Sequence, residues 1–195
     1  MGAAPRSGSP ARAGASLRAS AACAPSTPKP PPSSSSSGSG SSSLEITDQI
    51  SVDRAAAEIL AAGPVDVLVN NAGAAYFGVV EAFAPEAIQR QFDVNVFGQM
   101  RVSRAFLPGM RERRSGLVLY VTSVVGRYTF PFGGVYASSK WALEALAESS
   151  SYELAPLGVD VAIVQPAAYE TNIGNSGVSA DDQEAAHSTY LFCSR

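Results

Sequence analysis

Three short apolar runs in the second part of the chain, each of strand length, alternate with longer stretches of helical pattern. The runs cover residues 65–69, 116–121 and 159–164 and consist mainly of valine, leucine and isoleucine, as buried parallel strands do. Residues 85–107 and 135–154 have the spacing of long helices, which commonly connect neighbouring parallel strands. The alternation predicts an α/β fold with a doubly wound parallel sheet, right-handed βαβ connections and helices on both faces.

The residues before the first run add one helix and a piece of strand. Residues 52–62 place Ala, Glu and Leu in helical spacing and stop at Gly63 and Pro64, a pair that ends helices. Residues 44–47 are interpreted as the end of a short strand. The ordered domain is therefore predicted to begin at residue 44.

The first 43 residues differ sharply in composition, and 35 of them are Ser, Ala, Pro or Gly. Such a segment buries too little apolar surface to offset the entropy cost of ordering it, so we expect a disordered leader. Its arginines and its lack of acidic residues fit an organelle transit peptide, for a chloroplast or a mitochondrion. The same composition also fits a low-complexity tail on a cytoplasmic protein, or translated sequence foreign to the protein.

Charge, cysteine content and hydropathy exclude several classes of partner. Outside the leader, 10 basic residues stand against 17 acidic ones, a net charge of −7, which argues against nucleic acid. No apolar run approaches the ~18 residues that a membrane-spanning helix needs. Cys23, Cys193 and the single histidine, His187, offer no disulfide framework and no metal-ligand spacing. We therefore expect no metal, no nucleic acid and no transmembrane segment.

A candidate proton-transfer pair lies in the second long helical stretch. Lys140 follows Tyr136 by four residues, and Ser123 precedes the tyrosine by 13 residues. Residues four apart share a helix face, and a nearby ammonium is expected to lower the tyrosine pKa from its usual value of about 10. The pair could then act as a general acid/base, with Ser123 bonding the oxygen on which charge develops. Taken alone, the pair also fits a solvated helix face.

Turn-forming or polar residues follow each predicted strand. The cluster from Asn70 to Gly73 follows the first strand, Ser123 follows the second, and Pro166 follows the third. Ligands of open parallel sheets bind beyond the carboxyl ends of the strands. These positions are therefore predicted to form one site.

In this order and spacing, the residues resemble the motifs of the short-chain dehydrogenase/reductase family. The resemblance covers residues 44–175 and implies a Rossmann-like domain, followed by a tail over residues 176–195. It rests on these positions: Asn70-Asn71-Ala72-Gly73, Asn95, Ser123, Tyr136, Lys140, and the run from Pro166 to Thr171, which is similar to the family's Pro-Gly-x-x-x-Thr with Ala167 in place of glycine.

The resemblance implies hydride transfer between NAD(P)(H), in an undetermined form, and a small-molecule carbonyl or alcohol. Tyr136 would exchange the proton. Lys140 would lower the tyrosine pKa and bind the nicotinamide ribose, and Ser123 would orient the substrate oxygen.

Three further positions receive roles from the resemblance. Asn95 would anchor a water in a proton relay toward Lys140, although it could instead satisfy a helix kink. Thr171 would contact the nicotinamide amide, or it could cap a helix. Pro166 would shape the loop beside the nicotinamide.

The adenosine side of the cofactor would lie at the end of the first predicted strand. The resemblance assigns Asn70, Ala72 and Gly73 to it, and a glycine permits close backbone approach. Glu45 and Ile46 stand where the family usually has Asp-Val near the adenine. These five residues complete the predicted cofactor contacts.

The family's first two strands and its Gly-rich turn are missing from the sequence. That turn normally lets the backbone approach the cofactor pyrophosphate at a helix N-terminus, whereas Gly38 and Gly40 lie in a serine tract. In the family's strand order the absent strands would fall between residues 44–47 and 65–69. The predicted sheet is therefore incomplete, and the second of these runs would present an apolar edge.

Two functions follow from these observations. The first is an NAD(P)-dependent oxidoreductase with Tyr136 as general acid/base, and the second is a non-catalytic fragment that acts as a binding or dimerisation module. The resemblance implies a homodimer or homotetramer built on the two long helices. Phe130, Phe132 and Trp141 would suit an apolar substrate or belong to the core, and we favour the core for Trp141.

Overall fold

The computed structural model describes residues 44–167 and the backbone of residues 178–179. The predicted leader, Thr171 and most of the predicted tail lie outside the described residues, as do His187 and both cysteines. In chain order, the elements are α1 (Gln49–Ala62), β1 (Val67–Asn70), β2 (Tyr76–Phe77), α2 (Pro85–Phe92), a π-helical turn (Asp93–Gly98), α3 (Gln99–Arg113), β3 (Leu117–Val121), α4 (Gly134–Leu154), β4 (Asp160–Val164) and β5 (Val178–Ser179).

The main sheet consists of three parallel strands in the order β1-β3-β4. Val67 pairs with Leu117, and Leu117 pairs with Asp160. β3 and β4 lie within runs that the sequence predicted, and β1 extends one residue beyond its run, to Asn70. The parallel α/β fold is therefore confirmed. Because the strands run in one direction, the turns that follow them meet at one edge of the sheet, where ligands of such folds bind.

Helices cover one face of this sheet. Leu68, Val118 and Tyr120 point to that face and share a core with side chains of α1, α3 and α4. The opposite face is apolar but open at β1, where Val67 and Val69 are 53% and 54% exposed. Within residues 44–167, the predicted helical cover is therefore present on one face, and β1 forms the expected apolar edge.

The residues before α1 form a turn, and the prediction of a strand end at residues 44–47 is wrong. The amide and hydroxyl of Thr47 both donate to the Glu45 carboxylate, and the amide of Asp48 donates to the Glu45 carbonyl. Such local bonds compete with a strand ladder. Asp48 then caps α1 by accepting from the amides of Ile50 and Ser51, which is why the helix begins at Gln49, three residues earlier than predicted.

The long helix predicted over residues 85–107 is interrupted. It consists of α2, the π-helical turn and α3, which continues to Arg113. The π turn carries Asn95 inward and brings Gly98 against Ile46, where an added Cβ would lie 2.8 Å from two side-chain carbons. The interruption thus follows from tertiary contacts. Single π turns within α-helices are frequent at functional sites.

Helix α4 is the longest element, with 21 residues, and it begins one residue before the predicted start. The chain leaves it through Gly158, whose φ of 76° is left-handed and whose Cβ position lies 2.4 Å from the Arg114 carbonyl oxygen. Only glycine fits there without movement of the backbone. In the described ranges, no helix has both the length and the apolar composition needed to cross a membrane.

A second sheet of two short parallel strands was not predicted. β2 pairs with β5, with Tyr76 opposite Val178 and Phe77 opposite Ser179. Strands of two residues carry no recognisable period in a sequence. This ladder places residues 178–179 beside residues 76–77, in the segment that follows β1.

Candidate active site

Helix α4 presents Tyr136 and Lys140 on one buried face. Both side chains are more than nine-tenths buried, and the Lys140 Nζ atom lies 5.9 Å from the centroid of the Tyr136 ring. The same face continues through Leu143 and Glu144, with the spacing of a helix row. The predicted neighbourhood of the phenol and the ammonium is therefore present.

Ser123 reaches this pair from the end of β3. Its backbone is extended, with φ of −174°, and its hydroxyl caps the following turn by accepting from the Val125 amide. The Ser123 side chain also interacts with the Tyr136 side chain, in a direction that favours the phenolate. The structure thus brings together the three residues predicted to carry the chemistry.

Burial dominates the pKa values of the two titratable groups. It raises the pKa of Tyr136 above 10.0, and the Ser123 side chain opposes this change. It lowers the pKa of Lys140 to about 8, and the charge of Glu144 opposes that change. The tyrosine pKa is therefore raised, whereas a lowered value was predicted, because lost hydration of the phenolate is the largest effect on it.

Asn95 is fully buried and joins three parts of the site. Its Oδ1 atom accepts from the Ala74 amide at 2.8 Å, and its Nδ2 atom donates to the Ala74 carbonyl and to Ser139 Oγ, both at 2.9 Å. Ser139 in turn donates to the Tyr136 carbonyl. These bonds satisfy the polar atoms of the Asn95 side chain and of the Ala74 backbone, and the water-relay role of Asn95 stays a prediction.

Two further amides hold the turn after β1, and the sequence did not point to them. Gln99 donates to the Ala72 carbonyl at 2.8 Å, and Gln91 donates to the Ala74 carbonyl at 2.6 Å. Both side chains are buried, and the Oε1 atom of each has no hydrogen-bond partner in the described part of the chain. Their even spacing around Asn95, four residues on either side, was the signal in the sequence that could have identified them.

Gly73 lies between Asn95 and Lys140. A Cβ at this position would come within 3.4 Å of Asn95 Oδ1 and 3.6 Å of Lys140 Nζ. The missing side chain therefore leaves room beside the ammonium. The predicted approach of the Gly73 backbone to the adenosine side of the cofactor stays a prediction.

Three of the five residues predicted for the adenosine side line a cavity of about 80 Å³ at the end of β1. Ile46, Asn70 and Ala72 line it together with Gln99. Glu45 is not among its lining residues; it is exposed, and hydrogen bonds from the Thr47 amide and hydroxyl lower its pKa. The structure thus gathers three of these predicted residues at the cavity, sets Gly73 beside Lys140, and leaves Glu45 apart.

A buried series of hydrogen bonds holds the Asn70 side chain. The Asn70 Nδ2 atom donates to Ser103 Oγ at 2.8 Å, and Ser103 Oγ lies 2.9 Å from the Tyr120 hydroxyl. Burial raises the pKa of Tyr120, and the bond with Ser103 opposes this change. Asn70 is thus held by side chains of the core, and its role is more than the local capping of a strand end.

The turn after β4 also joins the site. The Pro166 carbonyl accepts from the Val124 amide at 3.0 Å, which ties this turn to the one that carries Ser123. Thr171 lies outside the described residues, so its predicted contact remains a prediction. Across residues 44–167, no group of three or more His, Cys, Asp or Glu side chains could hold a metal ion.

Aromatic side chains stand beside Tyr136. The ring of Phe77 packs edge-on against Tyr136 with 5.6 Å between centroids, and Phe130 lies 6.3 Å from Phe77. Phe130 and Phe132 are 39% and 44% exposed and do not belong to the core. Trp141 is 51% exposed, so its assignment to the core is wrong; it lies on the outer face of α4, opposite the site.

Comparison with known proteins agrees with this geometry. The family model described as short chain dehydrogenase matches residues 40–182. The uncharacterized oxidoreductase YusZ of Bacillus subtilis is 38% identical over 154 residues, which are 76% of this chain and 55% of that protein. Human 17-beta-hydroxysteroid dehydrogenase type 1 is 45% identical over 122 residues, which are 63% of this chain and 37% of that protein.

A solved structure shows the same partial overlap. The alcohol dehydrogenase of the archaeon Thermococcus sibiricus, complexed with 5-hydroxy-NADP, superposes with a TM-score of 0.64 at 31% identity. The match covers 76% of this chain and 66% of that one. The chain thus spans between 37% and 55% of the length of the two curated relatives it matches.

Proposed function

This chain belongs to the short-chain dehydrogenase family, and we propose that it catalyses hydride transfer between NAD(P)(H) and a carbonyl/alcohol substrate. The observation that carries the proposal is the burial of Tyr136 and Lys140 on one face of α4, with the Lys140 ammonium 5.9 Å from the phenol ring and Ser123 beside the phenol. This arrangement stands at the carboxyl end of the parallel sheet, where such folds bind ligands.

The residues at the site fit one end of a nicotinamide dinucleotide. The space left by Gly73 beside Lys140 Nζ suits a ribose whose hydroxyls accept from the ammonium, and Asn70 and Ala72 line the cavity farther along β1. Within residues 44–167 no Gly-rich turn is available for the pyrophosphate. The proposal therefore assigns the nicotinamide end to this chain, and the cofactor, when bound, supplies or accepts the hydride.

Tyr136 is well suited to give a proton to a carbonyl oxygen. Its raised pKa keeps the phenol protonated at neutral pH, and protonated phenol is the donating form. As the proton leaves, the Lys140 ammonium stabilises the phenolate through charge attraction in a partly dry site. Ser123, which stands beside the tyrosine, supplies a second donor to the same substrate oxygen.

The aromatic rim indicates an apolar substrate. Phe77 and Phe130 stand in contact beside Tyr136, so a substrate that presents its oxygen to the phenol would rest against aromatic carbon. The name of the human 17-beta-hydroxysteroid relative supports a bulky, rigid alcohol. We expect steroid-like or lipid-like carbonyls to be reduced faster than small polar ones.

The test is turnover of such carbonyls with NADH or NADPH. Tyr136→Phe should reduce kcat at least about 10²-fold, since it removes the proton donor. Tyr152→Phe is the matched control, because Tyr152 lies on the same helix but is 70% exposed. Equal turnover in wild type and Tyr136→Phe would exclude the proposed role of Tyr136.

The missing phosphate turn favours a second candidate, a non-catalytic binding or dimerisation module. The exposed edge of β1, with Val67 and Val69, is a surface that another chain could cover. Calorimetric titration with NADPH separates the candidates: micromolar binding supports the enzyme, whereas no binding together with a stable dimer in sedimentation supports the module. The sedimentation run also tests the implied homodimer or homotetramer.

A further inference from the structure

A buried carboxylate lies directly behind the proposed catalytic pair. The Glu144 side chain is almost fully buried on the same face of α4 as Tyr136 and Lys140, one helical turn beyond the lysine. An ionisable side chain rarely occupies such a position without partners or a function. Its contacts identify what it does.

Glu144 ties together the turns that follow β3 and β4. Its Oε1 atom accepts from the Thr122 hydroxyl at 2.5 Å and from the Gln165 amide at 2.8 Å. Thr122 directly precedes Ser123, and Gln165 directly precedes Pro166. The two turns that reach the site are therefore anchored to one carboxylate oxygen.

The other oxygen of Glu144 faces a single cation. Arg127 Nη2 lies 2.8 Å from Oε2, without the alignment of a hydrogen bond, and 3.8 Å from Glu148. Gly126, next to Arg127, has room for no side chain, because a Cβ would come within 2.8 Å of Glu144 Cγ. The turn after Ser123 thus closes over the carboxylate.

The same charge acts on Lys140. Lys140 Nζ donates to the Val121 carbonyl at 3.1 Å, and the negative charge of Glu144 favours the protonated amine against the effect of burial. The groups around Lys140 in the described residues are Tyr136 and Glu144 on α4, the neutral amide of Asn95 across Gly73, and Arg127, which pairs with Glu144 and Glu148. Glu144 is therefore the one negative charge beside the ammonium within residues 44–167.

We propose that Glu144 is a positioning residue, which anchors the turns that carry Ser123 and Pro166 and supplies the negative charge that keeps Lys140 cationic. Its benefit to catalysis rests on the proposed role of Lys140. The electrostatic part does not depend on turnover, because it concerns the protonation of one amine in the protein itself.

The lysine content of the chain makes a direct measurement simple. Lys29 and Lys140 are its only lysines, so full-length protein made with ¹³C-labelled lysine has two side-chain signals, and Lys29→Arg assigns them. The pH titration of the Lys140 signal is then recorded for wild type, Glu144→Gln and Glu148→Gln. Circular dichroism verifies that each variant is folded.

Glu144→Gln should lower the titration midpoint of Lys140 by about one pH unit, the size expected for loss of a neighbouring opposite charge. Glu148→Gln should leave the midpoint unchanged, although it also removes a carboxylate near Arg127 from the same helix. A role limited to anchoring the turns would lower thermal stability without moving the midpoint.

A second variant covers the case in which Glu144→Gln fails to fold because Arg127 loses its counter-charge. The double variant Glu144→Gln/Arg127→Gln replaces the ion pair by two neutral amides. It should show the same lowered titration midpoint of Lys140. A wild-type midpoint in the folded double variant would overturn the proposal. A lowered midpoint in a chain without turnover would support Glu144 while excluding the proposed function, so the two failures are distinguishable.

Discussion

The two sides of the main sheet differ in how completely their side chains are buried and bonded. On the α4 side, Tyr136, Lys140 and Glu144 are buried and connected to the turns after β3 and β4 by specific bonds. On the β1 side, Val67 and Val69 are more than half exposed, although they belong to a strand of the same sheet. A polar group buried without a partner is costly, so the buried polar side chains around Tyr136 and Lys140 need partners within the fold.

The comparison separates the two halves of a dehydrogenase domain. In the part of the chain that the structure describes, the half that handles the proton is made of contacts among residues 70–166. The half predicted to bind the cofactor phosphates depends on strands that the resemblance to the family places before β1. Breaking contacts in the first half should therefore be costly, whereas polar changes at the β1 edge should cost little.

The largest expected loss of stability comes from Asn95→Leu. The change removes three hydrogen bonds and leaves the Ala74 amide without its partner, so the free energy of unfolding should fall by about 4 kcal/mol. Urea titration measures the fall. Asn71→Leu is the control, because Asn71 is exposed; an equal loss in both variants would contradict the special place of Asn95.

Lys140 should make stability depend on pH. Its folded pKa of about 8 lies below the unfolded value of about 10.4, so the unfolded chain binds more protons between those values and stability rises with pH there, by up to about 3 kcal/mol. The raised pKa of Tyr136 acts in the opposite direction only above pH 10. Unfolding at pH 8 and pH 10 should show the rise in wild type and lose it in Lys140→Met; a rise retained in Lys140→Met would assign it to another group.

A pair of valines in neighbouring strands tests the two regions directly. Val118→Thr places a hydroxyl in a fully buried site of β3 and should cost about 1–3 kcal/mol. Val69→Thr makes the same change at the exposed edge and should stay within about 0.5 kcal/mol. Thermal unfolding of both variants decides; a large cost at Val69 would show that the β1 edge is covered in solution.

The smallest expected effect concerns association. If the open β1 edge causes self-association, Val67→Lys should shift the sedimentation profile toward the monomer while leaving the free energy of unfolding nearly unchanged, since edge charges oppose strand pairing. An unchanged distribution of oligomers would place any interface elsewhere, for example on the outer face of α4 that carries Trp141.

The main strands and helices were predictable because their signals are local. Apolar runs marked β1, β3 and β4, and the spacing of Tyr136 and Lys140 placed them on one helix face. Residues 44–47 were predicted wrongly because Glu45 and Thr47 bond each other, and such pairs leave no periodic pattern. Gln91 and Gln99 escaped notice because glutamine on a helix reads as solvent-facing until the packing is known.

The sequence by itself determined the parallel α/β class, the order of the motifs and the candidate proton-transfer residues, since periodicity and spacing express these within one element. Only the tertiary structure decided the direction of the Tyr136 pKa shift, the break in the helix at Asn95 and the position of Glu144 behind Lys140. Those properties depend on hydration and on charges brought together from distant parts of the chain. The burial of a polar side chain and its long-range contacts have no local signature, and so they appear only once the chain is folded.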